Sequence, residues 1–209
     1  MCWPAPNARP VGGVPPMPSS SIGTFQLPHI RILATPDCIG HSAGADPLGR
    51  TGQSTTGATH LIKVAVETAL GLRPKMDVFG TDYPTPDGTC IRDYIHVSDL
   101  VAAHSDALAY LRGGGASATL NCGYGRGFSV LDVIENVKRV SGVDFKVEIA
   151  GRRPGDPACI VAAADRARST LNWQPHFDDL QTIVSHALAW ERRLQRLRDG
   201  SELADPAER

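Results

Sequence analysis

The chain has 209 residues, enough for one domain with a sizeable hydrophobic core plus tails. Its apolar fraction of 42% is ordinary for a water-soluble fold, and its net charge of −1 gives no general attraction to nucleic acid or to an anionic membrane. No run reaches the ~20 apolar residues that span a bilayer, and the N-terminus has no signal-peptide pattern, so we expect no membrane partner.

The first part of the chain differs in composition from the rest. Residues 1–40 hold eight of the sixteen prolines, and their only charged side chains are Arg9, Arg31 and Asp37. Proline interrupts helices and central strands, so residues 1–42 are expected to be irregular and disordered. We place the folded domain at residues 43–198 and a polar tail at 199–209.

From residue 43 onward, segments with helical and strand periodicity alternate, which predicts an α/β fold. The first predicted elements are a helix from 59 or 60 to 70 that ends at Gly71, and a strand at 76–79. They are followed by a helix capped by Ser98 and stopped by the glycines at 113–115, a strand at 118–122, a helix capped by Ser129 and a strand at 143–149. The chain then forms a short helix at about 165–171 and a last helix from near Asp178, which buries apolar residues as far as Leu197.

Arg92 lies inside the strand-like run IRDYIHV at 91–97. A cation in such a run is unfavourable unless it has an anionic partner. Two interpretations are open: a local ion pair with the adjacent Asp93, or contact with a phosphate or carboxylate of a ligand, for which a planar guanidinium on a rigid element is suited.

A second candidate is the loop GRRPGDP at 151–157. Arg153 is suited to a two-point contact with a diphosphate, and Asp156 to hydrogen bonds from sugar hydroxyls. The alternative is a solvated loop with a local Arg–Asp pair worth less than ~1 kcal/mol. On the residues alone, the solvated loop is the favoured interpretation.

The turn GYGRG at 123–127 follows a strand and precedes a helix, which invites a dinucleotide-binding interpretation. That fingerprint needs glycine, one residue, glycine, two residues, glycine. Counted from Gly123, the third glycine position is Phe128, and counted from Gly125 it is Val130. We therefore interpret this stretch as a strand-to-helix turn that borders a pocket.

Other site classes have little support in the sequence. The five cysteines are scattered, without a Cys-x-x-Cys pair, which is typical of reduced thiols in a cytoplasmic protein. The seven histidines form no HExxH or HxH pattern, so no metal site is expected. The arginines of the last helix lack interleaved aromatic residues, which favours a solvated face over nucleic-acid binding.

Between Ala43 and Arg193 the chain resembles the C-terminal, substrate-binding half of UDP-glucose 4-epimerases, which are NAD-dependent epimerases with the extended short-chain dehydrogenase fold. The order and spacing of several motifs carry this resemblance. They are AGADP at 43–47, ATHLI at 58–62, DVFGTDY at 77–83, RDYIHVSDL at 92–100, SVLDV at 129–133 and RRPGD at 152–156. The implied fold is the small α/β substrate-binding domain of this class, with the N-terminal Rossmann half missing.

The resemblance also implies a set of substrate-binding residues and no catalytic or metal-binding residue. One pair grips the nucleotide, a second pair lines the uracil, and the remaining residues hold the diphosphate and the ribose. The nucleotide pair is His60 and Leu61, and the uracil pair is Val78 and Phe79. Arg92 contacts the diphosphate, and Arg153 and Asp156 hold phosphate and ribose.

Three departures from the family pattern affect the expected function. A substrate-binding asparagine of the family falls at His41 in the stretch Ile39-Gly40-His41, and Ile160 stands where some members have a tyrosine. The family's NAD-binding glycine turn and its catalytic Tyr-x-x-x-Lys do not occur in this sequence. NAD is therefore implied by the family, but its site is not expected in this chain.

The expected protein binds a UDP-sugar and is inactive alone. The alternatives are a non-catalytic UDP-sugar-binding module and one piece of a split enzyme completed by an N-terminal half. Elements that would pack on a missing sheet are expected to expose apolar surface and so to favour self-association.

Overall fold

The computed structural model describes residues 29–33 and 41–200. In chain order, the elements in these ranges are β1 (Ile30–Leu33), β2 (Ser42–Ala43), α1 (Leu61–Ala69), β3 (Met76–Phe79), β4 (Ile91–Arg92), β5 (Ile95–His96), α2 (Val97–Arg112), β6 (Ala118–Asn121), β7 (Phe128–Ser129), α3 (Val130–Ser141), β8 (Val147–Ala150), β9 (Cys159–Ile160), α4 (Asp165–Leu171) and α5 (Leu180–Arg198).

The strands form small sheets in which parallel pairing predominates. β1 pairs with β6, β2 with β5 and β3 with β8, all in parallel. In the remaining sheet, β4 lies between β7, which is antiparallel to it, and β9, which is parallel. This central position places Arg92 between Phe128 on one side and Ile160 on the other.

The register of β3 and β8 brings two candidate segments together. Phe79, the last residue of β3, lies opposite Ala150, the last residue of β8. Because the two strands run in the same direction, the segments that follow them leave the sheet at the same edge. The loop at 151–157 therefore begins beside the end of β3.

The core lies where α1, α3 and α5 pack on one another and on the short strands. Helical spacing directs the apolar side chains of α3 and α5 inward, and Val133, Val137, Ile183 and Val184 have no exposed surface. Trp173 joins this core and donates from Nε1 to the backbone oxygen of Asp99 at 3.1 Å.

The predicted start of α3 is confirmed in detail. The Ser129 hydroxyl accepts from the backbone N–H of Asp132 at 3.0 Å, and the Asp132 carboxylate accepts from the backbone N–H of Ser129 at 2.9 Å. This reciprocal capping box satisfies two donors that the first helical turn leaves unpaired. Gly142 ends the helix with a φ of +73°.

Three local predictions were wrong. The strand predicted at 143–149 begins only at Val147 and ends at Ala150. Ser98 does not cap α2, because the helix begins at Val97 and the His96 side chain accepts from the backbone N–H of Ser98 at 3.1 Å. Leu197 is 45% exposed because the last turn of α5 extends beyond the packed part of the helix.

The structure also departs from the expected irregular segment at 1–42. Ile30–Leu33 forms a strand, since this proline-free stretch between Pro28 and Pro36 has β-branched residues and every backbone N–H needed for pairing. Ser42 likewise begins β2. The rest of that prediction, at 1–28 and 34–40, and the tail beyond 200 lie outside the described residues.

Within the described ranges, no helix combines the length and apolar character that crossing a bilayer requires.

Candidate functional site

An open cavity of about 530 Å³ lies between the start of α1, strands β3 and β4, and the loop at 151–157. The structure brings six of the seven predicted substrate-binding residues to its lining. Val78 is the exception, because its side chain is 1% exposed and packs within the core. The six are His60, Leu61, Phe79, Arg92, Arg153 and Asp156.

Arg92 is a buried cation without a carboxylate partner among the described residues. It is 7% exposed, and its guanidinium Nη1 donates to the backbone oxygen of Ile91 at 2.8 Å. Removing a guanidinium from water is unfavourable unless an anion compensates it. Arg92 therefore gives the cavity an unbalanced positive charge.

The alternative partner, Asp93, is engaged elsewhere. Its carboxylate accepts from the backbone N–H groups of Tyr124 at 3.0 Å, Gly125 at 2.8 Å and Ala162 at 3.3 Å. Burial raises the pKa of Asp93, and these three N–H donors partly offset that effect. The local ion pair considered for Arg92 is therefore excluded.

The two arginines of the 151–157 loop each lie over an aromatic ring. The Arg153 guanidinium carbon is 3.7 Å from the centre of the Phe79 ring, and that of Arg152 is 3.8 Å from the centre of the Tyr83 ring. Gly80 permits this approach, because a Cβ at that position would lie 2.5 Å from Arg152 Cγ. The contacts fasten the loop to the end of β3.

The loop itself is exposed, as the solvated interpretation expects, but it contains no Arg153–Asp156 ion pair. Arg152 is the residue with a nearby carboxylate, at 3.5 Å from Asp82. Gly155 has a φ of +86°, and the Asp156 backbone N–H donates to the Arg153 carbonyl at 3.4 Å. This turn leaves the side chains of Arg153 and Asp156 available at the cavity.

His60 contacts Gln53, a residue that sequence reasoning did not identify. The Gln53 side-chain nitrogen lies 2.9 Å from His60 Nδ1, and the backbone carbonyl oxygen of Gln53 accepts from Trp190 Nε1 at 3.0 Å. With the Gln53 amide as donor, the neutral imidazole carries its proton on Nε2. Gln53 thus fixes the orientation of His60 at the N-terminus of α1.

His41 also lines the cavity, and sequence reasoning noted it only as a departure from the family. Its ring meets Tyr94 edge-on with centres 5.7 Å apart, and its Nδ1 is buried without a hydrogen-bond partner in the described part of the chain. Burial, followed by the positive charge of Arg92, lowers the pKa of His41 to about 4.

The glycine turn at 123–127 does not fit a dinucleotide. Its Tyr124 and Gly125 N–H groups already donate to the Asp93 carboxylate, so they are not available to a pyrophosphate. Packing inside the protein accounts for two of its glycines. A Cβ at Gly123 would lie 2.5 Å from Ala162 Cβ, and one at Gly127 would lie 2.4 Å from Ile91 Cγ2.

Comparison with known proteins places these features in a family. A model of the family described as GDP-mannose 4,6 dehydratase matches residues 49–185. UDP-glucose 4-epimerase of Azospirillum brasilense is 60% identical over 154 residues, which are 74% of this chain and 44% of that protein. The corresponding enzyme of Halalkalibacterium halodurans is 47% identical over 73% of this chain and 46% of its own length.

Solved structures give the same result. A crystal structure of a UDP-glucose 4-epimerase superposes with a TM-score of 0.72 at 46% identity, covering 74% of this chain and 47% of that one. The UDP-glucose-4-epimerase of Stenotrophomonas maltophila, with bound NAD and formylated UDP-arabinopyranose, gives 0.73 at 39% identity, with 75% and 47% covered.

The chain spans about half the length of the curated relatives that it matches. The expected resemblance to UDP-glucose 4-epimerases and the expected α/β fold of the extended short-chain dehydrogenase class are both confirmed. Because the family model covers well over half of its residues, the chain belongs to the GDP-mannose 4,6 dehydratase family.

Proposed function

We propose that this chain carries the UDP-sugar-binding half of a UDP-glucose 4-epimerase, the isomerase that interconverts UDP-glucose and UDP-galactose. The observation that carries the proposal is the buried, uncompensated Arg92 at one cavity with Arg153 and Asp156. A diphosphate supplies the negative charge that this cavity lacks.

Each of the predicted site residues has a role that suits its chemistry. Arg92 and Arg153 contact the diphosphate, and Asp156 accepts hydrogen bonds from ribose hydroxyls. Leu61 and Phe79 provide apolar surface for the base, and His60 donates from Nε2 to an acceptor on the nucleotide. Val78 supports this base site from the core, next to Phe79.

The chain alone positions substrate but does not epimerise it. Oxidation at the sugar requires a base tuned to take the hydroxyl proton and a hydride acceptor, and solved structures of relatives contain bound NAD. None of the tyrosines at 83, 94, 110 and 124 has a lysine four residues later. Burial raises the pKa of both Tyr94 and Tyr124, which keeps their hydroxyls protonated and so unavailable as proton acceptors. We place the NAD site outside this chain.

We also propose that the chain associates with itself or with a complementing N-terminal half. The support is an apolar stripe on α2, where Val101 and Leu108 lie seven residues apart on one face and are 62% and 50% exposed. Sedimentation equilibrium of the purified chain tests this proposal. Self-association is contradicted if the wild-type chain is a monomer at all concentrations and the double variant Val101→Ser/Leu108→Ser has the same mass.

Calorimetric titration of the full chain with UDP-glucose tests the main proposal, and GDP-mannose is the matched control ligand. We expect saturable binding of UDP-glucose and weaker binding of GDP-mannose, since the two relatives compared above are named as UDP-glucose 4-epimerases. Lack of any binding at millimolar UDP-glucose contradicts the proposal. Interconversion of UDP-glucose and UDP-galactose by the chain alone contradicts the part on inactivity.

A further inference from the structure

His41 stands out among the cavity residues because the proposed function gives it no role. It is a partly buried imidazole that shares the cavity with Arg92, Arg153 and Asp156. Its Nδ1 is buried and, among the described residues, has no hydrogen-bond partner. An unpaired buried polar nitrogen is unfavourable, so its presence at a ligand cavity needs an explanation.

We infer that His41 takes up a proton when a nucleoside diphosphate ester enters the cavity, so that ligand binding is linked to protonation of this imidazole. The inference rests on the proposed function, because it needs the diphosphate to bind between Arg92 and Arg153. The proton comes from solvent and converts a neutral imidazole into an imidazolium, and no bond in the ligand is broken.

The charges around His41 explain why the empty cavity keeps it neutral. Arg92, on β4, and His60, before α1, both disfavour a positive charge on the ring, whereas Asp156, from the 151–157 loop, favours one. Tyr94 contacts the ring edge-on and adds no charge. Burial, the largest cause, acts in the same direction as Arg92 and His60, and together they lower the pKa of His41 to about 4.

A bound diphosphate ester reverses this balance. Its two negative charges neutralise Arg92 and Arg153 and add attraction for a cation at His41. Charges interact strongly in a cavity from which the ligand has displaced water, so no direct contact with Nδ1 is needed. Protonation also gives the ring a second N–H donor. We therefore expect the pKa of His41 to rise on binding.

Calorimetry in two buffers measures this linkage. The full chain is titrated with UDP-glucose at about pH 5.5, between the ordinary histidine pKa and the lowered one, in a buffer of low and a buffer of high ionisation enthalpy. The difference in heat gives the protons taken up per ligand. UDP-glucose is the appropriate probe because its phosphates are both esterified, whereas a terminal phosphate titrates near pH 6.

We expect the uptake of nearly one proton for each UDP-glucose bound at about pH 5.5. The affinity for UDP-glucose should fall by up to about tenfold per pH unit as the pH is raised above this value. His41→Asn, which keeps a polar side chain that does not titrate, should bind with no uptake. His104→Asn, at an exposed histidine on α2 outside the cavity lining, should keep the full uptake.

Binding without proton uptake, or uptake that persists in His41→Asn, overturns the inference and leaves the proposed function intact. Absence of UDP-glucose binding at every pH refutes both. An NMR titration of the His41 ring in the wild-type chain, with and without saturating UDP-glucose, gives the answer independently of any variant. The expected result is a higher His41 pKa in the complex, and an unchanged value contradicts the inference.

Discussion

Asp93 follows Arg92 directly in the chain, yet the two side chains form no ion pair. The Asp93 carboxylate accepts three backbone N–H donors, two of them from the turn at 123–127. Arg92 lines the cavity, since successive residues of an extended backbone point to opposite sides. The anion thus organises the turn, and the cation remains available to a ligand.

Replacing Arg92 should affect ligand affinity and folding stability in different ways. We expect Arg92→Met to weaken UDP-glucose binding by roughly 2–4 kcal/mol, because the diphosphate loses a buried partner. The free energy of unfolding should stay the same or increase, since methionine removes an uncompensated buried cation while it keeps most of the apolar volume. Calorimetric titration and urea unfolding measure the two effects.

Two further variants control this experiment. Arg192→Met removes an exposed arginine of α5 and should change neither quantity. Arg92→Lys keeps the charge but loses the planar fork, and we expect intermediate binding. Full affinity in Arg92→Met shows that Arg92 does not contact the ligand.

Phe79 is expected to support binding through its contact with Arg153. Phe79→Leu keeps apolar surface but removes the ring face below the guanidinium, so binding of UDP-glucose should weaken by roughly 0.5–2 kcal/mol. Phe79→Tyr retains the ring face and should bind nearly as well as the wild type. Equal loss in both variants indicates that side-chain shape, and not the cation–π contact, is responsible.

Several local features of this fold could be predicted from sequence, because they depend on neighbours in the chain. The capping box of α3 follows from Ser129 and Asp132, and the end of α2 follows from its three glycines. The surroundings of the Arg92 side chain could not be predicted from sequence. It depends on the pairing of β4 with β9, which joins residues nearly seventy positions apart.

The site residues also divide into those that sequence motifs identify and those whose role depends on contacts in three dimensions. Motif order identified six lining residues, whereas the alternation of buried and less buried positions along β3 distinguishes Val78 from Phe79. Gln53 had no signal, because its role depends on the position of His60 in three dimensions. The unpartnered Nδ1 of His41 is likewise a property of packing.

Asp99 is expected to be important for stability. It is 1% exposed, and its carboxylate accepts from the Tyr124 hydroxyl at 2.6 Å and from the backbone N–H groups of His176 and Phe177 at 2.9 Å. In Asp99→Asn, the side-chain NH₂ must face a backbone N–H whichever way the amide is turned. Urea unfolding should show a loss of roughly 2–4 kcal/mol.

Asp165→Asn provides the matched control, because the Asp165 side chain is fully exposed. Its 3.9 Å contact with Arg168 lies at the surface, and exposed pairs of this kind contribute about 0–1 kcal/mol. An equal loss in the two variants contradicts the role assigned to the Asp99 hydrogen bonds.

Two histidines should make the folded chain sensitive to acid. Burial lowers the pKa of both His41 and His96 to about 4, with Arg92 as the next cause for His41 and His186 for His96. A histidine in the unfolded chain titrates near its ordinary pKa of about 6.5. As pH falls from about 6.5 to about 4, the unfolded chain binds protons that the folded chain does not, so the free energy of unfolding decreases.

Above about pH 6.5 both states hold these rings neutral, and the two histidines give no pH dependence. Urea unfolding at about pH 7 and about pH 5 measures the decrease. In His41→Asn, which removes one titrating ring, the decrease should be smaller by roughly 1–2 kcal/mol. His104→Asn is the control at an exposed ring and should follow the wild type. If His41→Asn has the same pH dependence as the wild type, His41 titrates alike in the folded and unfolded chains, and its neutral state is not imposed by the cavity.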